Sequence, residues 1–272
     1  MDSIHYSIFP ERPKQLFDGA CIALSILLCY KNNKKNKHLF GSGVSRFAES
    51  QRNCVFPCLY YVSIDAQDFL NNYLLFPKFG KITEKNIYRK LTNDSILSLY
   101  FAKNTSNVIS YRTAGGRYWK PFINRKFATE TSTNKTQCII SSINNMELVA
   151  VLNSGLFWWF YVNYFDLFHL TSYMFSNFRY KSDKAHISAS LIQLGEELMS
   201  CFEKNKSETR QFIKSQNRES IAESFNPQLS KPIIDEIDKV LAKHYGFTEE
   251  ELDFIINYDI KYRMGDELGG EE

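Results

Sequence analysis

No Pro-Pro dipeptide occurs anywhere in the 272 residues, and the 12 glycines gather into no glycine-rich loop. The nearest approach is Gly41-Ser42-Gly43, which runs on to Arg46 where a dinucleotide-type turn needs another glycine. A phosphate cradle of that kind is therefore not written in the chain. The six cysteines (Cys21, Cys29, Cys54, Cys58, Cys138, Cys201) follow no disulfide-like spacing, and no basic-then-apolar leader opens the sequence, so a reduced, cytoplasmic protein is expected. Cys54-x3-Cys58 is half of a zinc site at most. No second pair follows at ligand spacing, and Val55, Phe56 and Leu59 around it favour a buried segment, so no metal is expected.

An uninterrupted membrane span is missing as well. Residues 155–175 are long and apolar enough in outline, but Asn163, Asp166 and His169 interrupt them, each costing about 2–3 kcal/mol or more in lipid. Burial in a protein core is the expectation, with no membrane partner. Nor do the five histidines lie near one another in sequence. His169 is expected in the core, His38 and His244 in solvent, and no nucleophile–base arrangement emerges. The acids of Asp235-Glu236-x-Asp238-Lys239 suggest a nuclease only superficially, because their helical spacing fits a solvated face better. No catalytic residue is assigned.

What the chain has is binding chemistry. At 44% hydrophobic and 15% aromatic it can bury one large core or two modest ones. The net charge of +3 conceals an asymmetry. Residues 235–272 hold 12 acids against 4 Lys/Arg, a balance of −8, while residues 1–234 hold 29 basic against 18 acidic residues, or +11. Residues 95–129 contain no acid, and Lys103, Arg112, Arg117, Lys120, Arg125 and Lys126 give them a charge of +6. Inside that window the run 111–120 (YRTAGGRYWK) combines cations, stackable rings and a Gly115-Gly116 hinge. Arginine can grip a guanine edge, lysine neutralises phosphate, and tyrosine or tryptophan can stack on a base. The run therefore suits a nucleic-acid surface, with Arg112, Arg117, Tyr118, Trp119, Lys120, Arg125 and Lys126 as leading DNA contacts and Arg46 and Arg12 as lesser ones. A hairpin turn with Tyr118 and Trp119 in the core and Arg112 and Arg117 in water is the competing possibility.

The pattern along the chain predicts an α+β protein. Residues 21–30 (CIALSILLCY) read as a strand buried on both faces, and the prolines in residues 9–17 make that segment extended. Short β-like runs at 58–64, 108–111 and 137–142 alternate with helices over 83–91, capped near Thr83, and over 145–152. The last ninety residues or so read as helical throughout. Residues 185–206 carry a stripe of Ile187, Leu191, Leu194, Leu198 and Phe202. A further helix is capped by Ser230 and stopped by Gly246, and Thr248 caps a last one behind Glu249, Glu250 and Glu251. The last two helices make an αα-hairpin.

Five segments, in order, resemble the C-terminal half of adenine-N6 DNA methyltransferases of restriction–modification systems, a phage defence. The likeness is greatest to the large type II enzymes that combine modification with cleavage. The segments are 12–20 (RPKQLFDGA), 111–120 (YRTAGGRYWK), 152–159 (LNSGLFWW), 230–238 (SKPIIDEID) and 245–265 (YGFTEEELDFIINYDIKYRMG). The resemblance implies that residues 1–38 are the remnant of a Rossmann-like catalytic domain, with Phe9 as the aromatic nearest the flipped base. Residues 39–184 would be a target-recognition domain reading double-stranded DNA, and residues 185–272 a helical support. The chain departs from the family in lacking its glycine-rich S-adenosylmethionine turn and its Asn/Asp-Pro-Pro-aromatic base-holding turn. The expectation is recognition without catalysis, S-adenosylmethionine being bound by a separate methyltransferase catalytic subunit. Two alternatives stay open. One is an interaction or regulatory protein that contacts a methyltransferase or nuclease through Phe157, Trp158, Trp159 and Phe160; the other is a truncated gene remnant.

Overall fold

A computed structural model describes residues 3–19, 22–31, 38–70, 75–114, 120–129, 131–213 and 217–260. The chain is mixed α+β, with separate small sheets, and divides into two compact units. One comprises residues 1–90 with 162–165, the other residues 91–161 with 166–272. The boundaries expected at 38/39 and 184/185 each fall inside a unit.

The first unit is built on a four-stranded sheet, β1 (Ser3–Phe9), β2 (Leu24–Tyr30), β3 (His38–Val44) and β4 (Val62–Ile64), in the order β2-β1-β3-β4. β2 and β4 pair antiparallel with their neighbours, whereas β1 and β3 run parallel. Helix α1 (Ile82–Leu91) follows, one residue earlier than its expected start. Its first turn is closed by buried Glu84, whose carboxylate accepts from the Gly80 and Lys81 N–H groups at 2.7 and 3.0 Å, where the helix dipole favours an anion. Phe9 is 1% exposed in a cluster with Leu16, Phe47 and Val55. β2 departs from expectation. It is an edge strand, not one buried on both faces: Leu24 and Ile26 pack on that cluster, while Leu27, Leu28, Cys29 and Tyr30 are exposed. Among the described residues β2 has a neighbouring strand on one side only. Cys54 and Cys58 are likewise exposed free thiols, and only Val55 between them is buried.

In the second unit, α2 (Asn145–Asn153) and α3 (Gly155–Tyr164) form the apolar centre, the last turn of α3 being counted with the first unit. Both helices are apolar nearly all round, which marks helices buried on every side. Phe157, Trp158, Trp159 and Phe160 are all buried, so the aromatic block is core and not the partner surface weighed above. A three-stranded sheet, order β6-β5-β7, combines β5 (Val108–Arg112), β6 (Phe122–Ile123) and β7 (Asn134–Cys138). Asn153 ties it to α2: its side chain accepts from the Phe122 N–H at 3.1 Å and donates to the Phe122 carbonyl at 2.8 Å. After the short α4 (Ser172–Ser176) comes α5 (Ala185–Asn205), which packs on α2 so closely that a Cβ on Gly195 would lie 2.3 Å from the Met146 carbonyl oxygen.

The C-terminal part is not all helix. A hairpin of β8 (Ser207–Ile213) and β9 (Arg218–Ser224) intervenes before α6 (Pro227–Tyr245) and α7 (Glu249–Asn257). Its residues, SETRQFI and RESIAES, show no apolar alternation by which a strand could be read. α6 begins three residues before the expected Ser230 cap, at an Asn226 side chain that accepts from the Gln228 N–H, and Ser230 is buried within it. Gly246 ends α6 at φ +68° and Thr248 caps α7, as the sequence predicts, and Glu251 completes a reciprocal capping box with Thr248. Asp238 corrects the reading of a solvated acidic face. It is 2% exposed, and its two carboxylate oxygens accept from the Gly155 and Leu156 N–H groups at 2.9 and 3.0 Å, capping α3. His244 is buried, with Nε2 2.6 Å from Asp94, whereas His169 is exposed beside Asp166, the reverse of both expectations. Among the described residues no helix is long and apolar enough to cross a membrane.

Candidate nucleic-acid interface

Among the described cations in and beside the basic window, Arg112, Lys120 and Arg125 are held against the protein, whereas Lys126 and Lys135 are exposed. Arg112 closes β5, where Nε donates to Asn134 Oδ1 at 3.3 Å and a terminal nitrogen to the Glu223 carbonyl at 3.1 Å, with the guanidinium 5.6 Å from the centre of the Phe127 ring. Arg125 grips two carboxylates, Glu203 at 2.5 Å and Glu223 at 2.6 Å. Lys206 joins them, at 3.0 Å from Glu203, 3.1 Å from Glu208 and 3.3 Å from Glu223. Burial alone would raise the Glu223 carboxyl, but the Arg125 hydrogen bond, the Ala128 N–H and Lys206 outweigh it and hold its pKa at about 2. The Arg125 guanidinium is held above its ordinary value, first by the Glu223 hydrogen bond. Its charge is thus spent inside the protein, joining residues 124–129 to the β8–β9 hairpin. Thr129 adds to that joint by accepting from the Ile221 N–H at 2.8 Å.

Lys120 is 5% exposed and donates to the Phe168 carbonyl at 2.7 Å. Desolvation lowers its pKa to about 8, against the opposing pull of Asp166. Lys120 and Arg125 are therefore not the exposed phosphate contacts expected of them, because one is desolvated and the other neutralised. Arg117, Tyr118 and Trp119 lie outside the described residues, as do Gly115 and Gly116.

The second group faces outward. Lys126 and Lys135, both exposed, line a groove of about 270 Å³ with Thr131, Asn134 and Thr136, over Phe127 and Thr129. Two ammonium groups beside hydroxyl and amide donors are a set that an anionic, hydrogen-bonding backbone such as a phosphodiester can use. The groove is held from below, since Asn134 donates to the Thr129 carbonyl at 2.9 Å and Ser110 bonds Thr136 across β5 and β7 at 2.9 Å. Lys135 escaped the sequence reading because Glu130 closes the acid-free window before it. Asn134, Lys135 and Thr136 are all polar and show no apolar alternation, so the sequence offers no signal for this strand wall.

The remaining expected contacts belong to the first unit. Arg12 is half-exposed 3.9 Å from Glu11, and the Arg46 guanidinium donates to the Arg12 carbonyl at 3.2 Å. Phe9 fills the core beside Phe56, so no base can stack on it in this conformation. Among the described residues no group of three or more His, Cys, Asp or Glu is placed to hold a metal ion. Comparison with protein-family models, with curated proteins and with solved structures found no match to this chain.

Proposed function

We propose that this chain is the DNA target-recognition part of a site-specific adenine-N6 DNA methyltransferase of a restriction–modification system. In this reading the first unit is the end of a Rossmann-like domain and the second reads DNA. A separate chain supplies S-adenosylmethionine and the catalytic groups. One observation carries the reading: the Lys126–Lys135 groove is lined by residues of β7, the strand paired with β5, and in the sequence β5 is followed by Thr113-Ala114 and then the Gly115-Gly116-Arg117-Tyr118-Trp119 run. The order of the five resembling segments supports it.

The test is binding to fluorescent duplex DNA, followed by anisotropy across a range of salt. With Lys126, Lys135 and Arg117 on phosphate, the logarithm of affinity falls against log salt with a slope of about −3. Replacing both lysines by Ala cuts that slope by about 2 and weakens all sequences alike, whereas replacing a base-reading Arg relaxes preference at one position. Salt-independent binding, or no loss in the double variant, defeats the proposal. The chain alone transfers no methyl group, and adding a methyltransferase chain that carries the missing motifs restores methylation at a defined site. Transfer by the lone chain would overturn the division of labour.

A further inference from the structure

The two edges of the first unit's sheet are finished differently. At β4 the strand covers three residues and leads directly into Asp65, which is bridged to Lys85 and to Arg89 at 2.8 Å each. Short length and fixed charge are how proteins keep an edge from pairing with another chain. At β2 neither device is present. The seven residues LSILLCY carry no charge and no proline, and among the described residues β2 pairs with β1 alone. Among the described residues, nine of the 14 exposed large hydrophobics belong to the first unit, although it holds about a third of the chain. Four of those nine, Ile22, Leu27, Leu28 and Tyr30, lie on β2 or directly before it, so the apolar excess is concentrated at the unguarded edge.

We propose that β2 pairs antiparallel with β2 of a second copy of this chain, across a two-fold axis at Leu27, joining the two sheets into one. The strand is its own complement. A two-fold at Leu27 sets Leu24 opposite Tyr30 and Ile26 opposite Leu28 on one face, and on the other Leu27 opposite Leu27 of the second copy, flanked by Ser25 opposite Cys29. Charge agrees with that register. The first cation after the strand, Lys31, comes opposite the neutral Ala23 of the second copy, and no like charges are brought together. Leu27, 62% exposed in the single chain, becomes the central contact. Because β4 is guarded by charge, the pairing stops at two copies. This inference does not depend on the chain's binding DNA.

The experiment uses the full chain in size-exclusion chromatography with light scattering at about 10–100 μM, concentrations at which exposed strand edges associate. The chain elutes at twice its 31.8 kDa mass. Leu27→Lys and Leu27→Glu each place like charges face to face and elute as monomers, and an equal mixture of the two regains the dimer. In addition, Ser25→Cys comes opposite Cys29 of the second copy at a Cα spacing of about 4.5–5.5 Å, within the span of a disulfide. Under a mild oxidant it cross-links into a covalent dimer, and Cys29→Ser in the same chain abolishes the link. The proposal is overturned by a wild-type monomer at the highest concentration, by open-ended polymer, by a dimer that survives both charge variants, or by failure of Ser25→Cys to cross-link. Unchanged DNA affinity of Leu27→Lys keeps this result separate from the test of DNA binding.

Discussion

Asp238 is the single side chain whose removal should reach furthest into the second unit. Its carboxylate accepts both N–H groups at the start of α3, at 2.9 and 3.0 Å, from a site 2% exposed. Replacement by Ala leaves two buried N–H groups without that acceptor at about 1–3 kcal/mol each, and takes a negative charge from the positive end of a helix dipole. A loss of about 3–5 kcal/mol follows, which for a chain of this size lowers Tm by about 10 °C. Asp238→Asn retains one acceptor and should lie between the two. Asp235, on the same helix, is ion-paired within it to Lys231, so Asp235→Asn serves as the control and should cost about 0.5 kcal/mol or less. Thermal unfolding by circular dichroism, with Trp158 and Trp159 of α3 as fluorescent reporters, measures all three. A Tm for Asp238→Ala within about 2 °C of wild type would refute the capping role.

Gly195→Ala forces a Cβ to within 2.3 Å of the Met146 carbonyl oxygen, so α5 and α2 must separate; a loss of about 1–3 kcal/mol is expected in urea unfolding. Glu223 has its pKa held at about 2, below its ordinary 4.5, so the stability it contributes is complete above pH 4.5 and lost as pH falls toward 2. Glu223→Gln should therefore be less stable than wild type at pH 7, with the gap closing in acid, as Tm against pH will show. Lys120 gives the same sign in a higher pH window, its pKa being lowered to about 8 from 10.5. The unfolded chain binds the extra proton, and wild type gains stability relative to Lys120→Met as pH rises from 8 to 10.5.

Helix ends and helix stripes were legible because their signals are local. Gly246 at positive φ, the Thr248 cap of α7 and the apolar stripe of α5 need only neighbours within a few residues. What depended on distant partners was not legible. Nothing near Asp238 announces that it caps a helix 83 residues earlier, and nothing near Arg125 announces Glu223, 98 residues away. The basic window was a correct count of charge, yet exposure depends on which cations fold against acids supplied by β9 and α5. Lys120 shows the same gap, since its desolvation is a property of the folded unit. The apolar character of β2 is plain in its sequence, but hydropathy carries no information on whether a neighbouring strand is at hand.

Two of the segments compared above, 152–159 and 230–238, meet in the cap of α3: Ser154, Gly155 and Leu156 from one, Asp238 from the other. Their shared task is architectural. Helix α6 is correspondingly no detachable appendage. Cutting the polypeptide before α6 would take the anion away from the helix that holds Trp158 and Trp159, and the unit's aromatic interior would lose its fastening.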